Sequence, residues 1–438
     1  MGISRRRWMK ANLFGVSAAG ALSALPAEAK IWPPARAAQE SSGRALPKGF
    51  DGLEPLGSRV HPITPEEFAE RREHARRLMA SGDPALDALY ITAGSSSLYY
   101  FTGVRWGLSE RLMAVLLLRS GDPVVICPAF EADRLHELVK FPAEFRTWEE
   151  DASPYALAAK ALADRGLRTG RVGIEERVPF VFSDGLRRAG AAYEYAPASA
   201  VTIGCRGQKS PAELELMRLA CAATVDCFRA VFASLDEGMT EKVVNGLLRS
   251  GFQRMGLEGG ALVLFGQWAA LPHGTTTPQK LREGDVVLID GGTSVEGYQS
   301  DVTRTTVLGA PAEKQRRAFA AVHRAQEAAL EAARSGRLSG SVDDAARAAI
   351  TAAGYPGDYK VFTHRLGHGI GLDGHEHPYL VRGSRTVLAP SMTFSNEPGI
   401  YLRGDFGLRL EDDMAISADG PAQLLTPGLS ASLEKPCG

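Results

Sequence analysis

Four of the nine histidines lie between residues 364 and 377, in His364-Arg365-Leu366-Gly367-His368-Gly369-Ile370-Gly371-Leu372-Asp373-Gly374-His375-Glu376-His377-Pro378. Glycines at 367, 369 and 371 argue for close backbone approach to something. Carboxylates recur in a second pattern. The apolar run Val286-Val287-Leu288-Ile289 ends in Asp290-Gly291-Gly292, and Asp301 opens the β-prone run Val302-Thr303-Arg304-Thr305. A hairpin centred on Val295 and Glu296 sets Asp290 opposite Asp301, with side chains about 5 Å apart on one face. Two such carboxylates repel unless a proton or a cation sits between them. Glu397 lies in a strand-like stretch that Pro398 biases to extended geometry. Arg409 and Glu411 alternate onto one face of the run Gly407-Leu408-Arg409-Leu410-Glu411. A charge on an inner strand face is costly unless paired or bound to metal.

The resulting set, Asp290, Asp301, His368, Glu397 and Glu411, offers four carboxylates and one imidazole. A charge of −4 exceeds what one divalent cation offsets, whereas two divalent ions neutralise it, as in sites with ions about 4 Å apart and bridging carboxylates. Oxygen-rich coordination with one His favours Mn²⁺, Co²⁺ or Fe²⁺ over thiolate-bound zinc. No HExxH segment is present, which excludes the helical zincin arrangement. The five cysteines are scattered without a CxxC pair and read as buried small hydrophobes rather than a disulfide framework.

The elements that must hold these groups divide the chain near residue 207. Residues 60–206 carry short β-prone runs (88–92, 99–102, 113–118, 124–127, 172–175) with helical stretches between them, an α/β domain. From 207 to 432, long Ala-rich helices (211–234, 240–255, 312–334, 341–353) alternate with strand runs at 285–290, 298–307, 392–402 and 407–416, an α+β pattern. Ahead of both, residues 30–59 are rich in Pro, Gly and Ser and read as a linker. The first 29 residues read as a twin-arginine export signal: Arg5-Arg6-Arg7-Trp8-Met9-Lys10, the apolar stretch Ala11 to Leu25, and the small-x-small pattern Ala27-Glu28-Ala29. The apolar run is too short for a stable membrane span. Net charge is −1, and removing residues 1–29 takes away four cations and one anion to leave −4. No basic field draws this chain to nucleic acid.

One by one these residues are unremarkable; in order and flanking sequence, Asp290, Asp301, His368, Glu397 and Glu411 together resemble the metal-ligand set of the pita-bread metallopeptidases. That group contains Xaa-Pro dipeptidase (prolidase), aminopeptidase P, methionine aminopeptidase and the metal-free creatinase. Trp268-Ala269-Ala270-Leu271-Pro272-His273-Gly274 is similar to the family's active-site histidine segment, and Leu98-Tyr99-Tyr100-Phe101-Thr102-Gly103 to its creatinase-type amino-terminal domain. The resemblance spans roughly residues 60 to 430. The amino-terminal half argues against methionine aminopeptidase, and intact ligands argue against creatinase. His375-Glu376-His377-Pro378-Tyr379-Leu380-Val381-Arg382 looks most like the prolidase and aminopeptidase P branch; His377 is assigned no role.

The resemblance implies a creatinase-like domain followed by a pita-bread catalytic domain, binding two divalent ions, Mn²⁺ foremost with Co²⁺, Fe²⁺ or Zn²⁺ as alternatives. It implies cleavage of Xaa-Pro dipeptides by a hydroxide shared between the ions, with Glu397 shuttling a proton. His273, His364 and His375 would bind substrate or stabilise the oxyanion, Arg409 would hold a bridging carboxylate, and Arg382, Arg403 or Arg409 would meet the free carboxylate of a dipeptide. The alternative activity is aminopeptidase P, acting on longer Xaa-Pro peptides, and an intact ligand set argues against a non-catalytic peptide-binding scaffold. Small peptides are the expected partners, a homodimer the expected assembly, and export to the periplasm or medium the expected fate.

Overall fold

A computed structural model describes residues 46–438; the export signal and the first part of the 30–59 segment lie outside the described residues. The amino-terminal domain opens with helix α1 (Pro65–Ser81), whose first turn is capped by Thr64 Oγ1 accepting from the Glu67 amide, with Pro65 at the first helical position. Strand β1 (Ala88–Thr92), helix α2 (Ser96–Thr102), β2 (Ala114–Leu118), β3 (Val124–Pro128), α3 (Ala132–Leu138), β4 (Glu144–Trp148), α4 (Pro154–Asp164), β5 (Gly170–Ile174), α5 (Phe180–Ala189), β6 (Tyr193–Pro197) and α6 (Ser199–Gly207) follow. The strands form one sheet in the order β4-β3-β2-β1-β5-β6. Its central strands are buried on both faces, and alternation sorts their side chains. Leu89, Ile91, Val115 and Val125 pack towards α1, α2 and α6, whereas Tyr90, Leu116 and Ile126 pack towards α4 and α5.

Residues 99–102, expected as strand, belong to α2. Ser95 Oγ accepts from the Ser97 amide at 3.0 Å, and Gly103 ends the helix with φ of 72°. Capping chemistry at both ends outweighs the β preference of Tyr99, Tyr100 and Phe101.

In the second domain, α7 (Pro211–Phe232) starts in a capping box between Ser210 and Glu213. It is followed by α8 (Glu241–Arg254), β7 (Gly259–Phe265), β8 (Val286–Val295), β9 (Tyr298–Gln299), β10 (Val302–Val307), α9 (Glu313–Ala332) and α10 (Ser339–Ala352). The remaining strands are β11 (Gly367–Gly369), β12 (Glu376–Leu380), β13 (Thr393–Asn396), β14 (Gly399–Leu402), β15 (Phe406–Arg409), β16 (Asp412–Ala415) and β17 (Gln423–Leu424). Among the described residues, β10-β8-β7 form one antiparallel sheet, β12-β11-β13-β16-β17 a second, and β14-β15 a ribbon. Strand β8 divides two cores. Val287 and Ile289 pack with Phe228 and Phe252 of α7 and α8, while Val286 and Leu288 pack with Phe319 and Val342 of α9 and α10 and with Phe394 and Leu408. The expected strand 392–402 is broken at Glu397-Pro398, so β13 and β14 belong to different sheets and Glu397 sits at the crossing.

The hairpin register differs from the expected one. Glu296 and Gly297 both take positive φ, 49° and 84°, and close a turn in which Val295 faces Tyr298. A two-residue turn with both central residues at positive φ favours a tight hairpin. The ladder then pairs Asp290 with Thr303 and Gly291 with Val302, leaving Asp301 one diagonal step from Asp290. A two-residue offset preserves the face.

The segment before residue 60 is a second departure. Residues 46–59, assigned to the linker, include short 3-10 turns at Lys48–Phe50 and Gly57–Arg59, and Phe50, Leu53 and Leu56 are buried in the core of α7 and α8. The Leu56 amide donates to Met255 O and Arg254 Nε to Leu53 O. Three apolar residues at intervals of three outweigh the Pro- and Gly-rich composition around them. Phe50→Ala is expected to destabilise the fold by about 3 kcal/mol. Thermal unfolding checks this, and an unchanged midpoint would remove the segment from the core.

Candidate active site

The residues singled out in the sequence come from two strands and three strand ends or junctions. Asp290 lies within β8, Asp301 immediately precedes β10, His368 is in β11, Glu397 bridges β13 and β14, and Glu411 bridges β15 and β16. They converge. Ligand atoms of Asp290, Asp301 and Glu411 lie within 4.8 Å of one another, as do those of His368, Glu397 and Glu411, and those of Asp301, His368 and His375. His368 Nε2 is 3.4 Å from Glu397 Oε1 and 3.9 Å from Asp301 Oδ2. The Nδ1–H of His368 donates to Gly369 O at 3.1 Å, which leaves the Nε2 lone pair facing the carboxylates. Gly367 is needed here, because a Cβ on it would fall 2.0 Å from Ser395 O.

Arg409 is the hub of the surrounding network. It donates from Nη2 to Asp290 Oδ2 at 2.6 Å, from Nη1 to Tyr401 Oη at 2.7 Å and from Nε to Thr303 Oγ1 at 3.1 Å. Thr303 Oγ1 lies 2.6 Å from Glu411 Oε2 and 3.0 Å from Asp290 Oδ1, so one hydroxyl ties two carboxylates to the guanidinium. Behind them, Arg304 is fully buried; it donates to Glu411 O at 2.7 Å and pairs with Asp412 at 2.6 Å. Asp413 Oδ2 accepts from the Asp301 amide at 3.0 Å and from Cys221 Sγ at 3.3 Å. Thr303, Arg304, Tyr401, Asp412 and Asp413 were not singled out in the sequence. Strand alternation was the available signal for two of them: Thr303 shares a face with Asp301, and Asp413 with Arg409 and Glu411.

The other predicted residues separate into two groups. His375 is exposed and stacks on His368 with centroids 3.6 Å apart, and His273 is exposed beside Pro272, whose carbonyl accepts from Arg409. His364 lies beside the cluster, with Nδ1 3.7 Å from Glu397 Oε2. Its Nδ1–H donates to Arg365 O and its Nε2 accepts from Tyr401 Oη, both at 2.7 Å, so both ring nitrogens are engaged by the protein. Arg382, expected near substrate, instead lies 3.9 Å from Asp344, 3.5 Å from Gly357 O and over the Tyr359 ring. Asp344 in α10 offers it a carboxylate outside the cluster.

Burial and mutual repulsion raise the carboxyls of Asp301 and Glu411 well above their usual range. Glu397 is pushed up to about 8, by burial foremost, with Arg409 opposing and Asp290 adding to the rise. Burial foremost, with Arg409 beside His364 and His375 beside His368 adding to it, lowers both imidazoles to about 3 and keeps them neutral. Hard oxygen donors and one neutral imidazole suit divalent cations, whose charge replaces the protons these carboxyls otherwise retain.

A stability test follows. Unfolded carboxyls ionise near about pH 4, whereas Glu397 in the cation-free fold holds its proton to about 8. Between those values the native state binds more protons, so its stability falls as pH rises. In chelator, the unfolding midpoint should drop between pH 5 and pH 8, and excess Mn²⁺ should abolish the drop. A chelated protein equally stable at both pH values would contradict the repulsive cluster.

Metallopeptidase family M24 matches residues 215–418, and the creatinase/prolidase N-terminal domain matches residues 71–208. The chain is 33% identical over 349 residues to the Xaa-Pro dipeptidase of Lactobacillus helveticus, covering 76% of this chain and 91% of that protein. It is 31% identical over 344 residues to the Xaa-Pro dipeptidase of Pyrococcus horikoshii, covering 78% and 93%. The crystal structure of dipeptidase PepE from Mycobacterium ulcerans superposes with a TM-score of 0.76 at 33% identity, over 84% of this chain and 98% of that one. A carboxylate-rich centre on this two-domain fold and relatives matched over nine-tenths of their length lead to one conclusion: the chain belongs to metallopeptidase family M24, with a creatinase/prolidase amino-terminal domain ahead of its catalytic domain.

Proposed function

We propose that the chain hydrolyses Xaa-Pro dipeptides, with Mn²⁺ as its divalent metal held by Asp290, Asp301, His368, Glu397 and Glu411. The observation that carries this reading is the convergence of those five residues into overlapping donor triads, in a chain whose relatives from L. helveticus and P. horikoshii are named Xaa-Pro dipeptidases. When bound, two such ions supply Lewis acidity and a strong nucleophile from water at neutral pH.

The chain's own residues handle the protons and the substrate. Glu397, at the crossing between β13 and β14, takes the proton from the attacking water. The leaving group is a proline nitrogen, which must gain a proton as the C–N bond breaks, and Glu397 delivers it. His375 and His273, both exposed, donate to the substrate carbonyl oxygen as negative charge develops there. His364 acts one step removed by orienting Tyr401, and Arg409 fixes Asp290 while Thr303 links it to Glu411. Export and a homodimeric assembly complete the reading, supported by the Arg5-Arg6-Arg7-Trp8 segment with its apolar stretch and by the family resemblance.

Ala-Pro and Ala-Pro-Ala-Ala, each incubated with the Mn²⁺-loaded protein and followed by mass spectrometry, test the substrate class. Cleavage of the dipeptide alone is expected, and release of Ala from the tetrapeptide would establish an aminopeptidase P activity instead. Asp301→Asn and His368→Ala should lose metal and nearly all activity, and His375→Ala should keep metal while losing turnover. A folded His368→Ala protein with full activity would overturn the assignment.

A further inference from the structure

We propose that the amino-terminal domain positions His375 through an ionic clamp in which Arg206 and Lys209 grip Asp373 and Glu376, the two acids that bracket it. The inference rests on the reading of His375 as a residue that contacts substrate.

Arg206 lies in the last turn of α6, at the end of the amino-terminal domain, and Lys209 follows two residues after that helix. Arg206 Nη2 reaches Asp373 Oδ2 at 2.7 Å and Glu376 Oε2 at 2.5 Å; Lys209 Nζ reaches Glu376 Oε1 at 2.7 Å. The amino-terminal domain adds two further contacts to Asp373: Ser96 Oγ donates to Oδ2 at 2.7 Å, and Arg177 Nη1 lies 3.0 Å from Oδ1. Each acid is thus held through both of its oxygens. Side-chain exposure is 12% for Arg206 and Asp373, 9% for Glu376 and 3% for Lys209. Water therefore competes weakly for these pairs, unlike at a surface bridge. Burial opposes the charge of Glu376, yet Lys209 and Arg206 hold it below the usual carboxylate range.

Beyond the pairing of Glu376 with Gly369 in the β11–β12 ladder, the segment between the acids has open space around it. A Cβ built on Gly374 would meet no atom within 4 Å, and a cavity of about 250 Å³ adjoins the segment, lined by Arg177, Thr202, Arg206, His375 and His377 among others. At Gly371 the clamp itself occupies the space: a Cβ there would fall 2.6 Å from Glu376 Oε1 and 2.7 Å from Lys209 Cε. His375 sits on a short, glycine-flanked loop with open space beside it, and the acids on either side are fastened to the other domain. That fastening holds the imidazole over His368, at a centroid distance of 3.6 Å. A side chain misplaced by about 1 Å costs roughly 100-fold in turnover.

The test is a double-mutant cycle on the Mn²⁺-loaded full chain with Ala-Pro as substrate: Arg206→Met, His375→Ala and the pair, with metal content and thermal midpoint measured alongside kcat and KM. Arg206→Met should retain two metal ions and lose about 100-fold in kcat. Adding it to His375→Ala should lower kcat no further, because the clamp acts through that imidazole. Arg206→Lys should recover part of the loss. If Arg206→Met does not fold, Asp373→Asn and Glu376→Gln replace it in the cycle. Losses that multiply in the pair would overturn the clamp and leave Arg206 with a structural role. A His375→Ala protein with full activity would instead overturn the reading of His375 itself.

Discussion

Mutual repulsion among Asp290, Asp301, Glu397 and Glu411 is the constraint around which the catalytic domain is built. Burial raises the proton affinity of Asp301, Glu397 and Glu411, and the charges of neighbouring carboxyls in the overlapping 4.8 Å groups raise it further. No single element places them. They come from the middle of one strand and from strand ends and junctions, held by groups that a flexible loop could not align: a guanidinium with three aimed bonds, a threonine hydroxyl between two carboxylates, and a backbone amide anchored on Asp413. Relieving that repulsion takes external positive charge, because Arg409 brings one unit against four. The affinity for divalent cations and the instability of the cation-free cluster are therefore two consequences of one arrangement.

The buried pair Arg304–Asp412 illustrates how such precision is supported. Both side chains are fully buried, a state that contributes little net stability relative to apolar residues of the same volume. Its geometric effect is specific. Arg304 binds Glu411 O while pairing with the next residue, so β10 and the β15–β16 junction are locked in register, and the reciprocal backbone bonds between Thr303 and Glu411 set Thr303 Oγ1 within reach of the Glu411 carboxylate. An apolar substitute would fill the space without fixing that register.

The convergent cluster of acids and histidine was legible in the sequence because charge on a strand's inner face and glycine-spaced histidines are costly patterns that need a reason. The long helices were legible through their caps, as at Ser210 and Thr64. The hairpin register was not, since it depends on Glu296 accepting positive φ, a conformation that residue type does not announce. The helix at 96–102 was missed because aromatic residues mark strands by preference while its caps decide the outcome. Phe50, Leu53 and Leu56 were hidden by composition, and Tyr401 by distance from any chemical motif. The turning of His364 onto Tyr401, and of Arg382 onto Asp344, depends on neighbours more than thirty residues away.

Asp373 and Glu376 had the same character: in sequence they are two acids among histidines, and only the fold shows that their partners lie in the other domain. Their placement gives the amino-terminal half a physical role. The cluster of carboxylates and His368 lies wholly within residues 290–411, whereas the loop carrying His375 is fastened to the last turn of α6 and to Ser96 and Arg177. Charge density is thus set by the catalytic domain alone, while the loop that carries His375 is tied down by the contact between domains. On the role proposed for His375, a change at that contact alters turnover without touching a ligand, so activity and metal affinity respond to different parts of the chain.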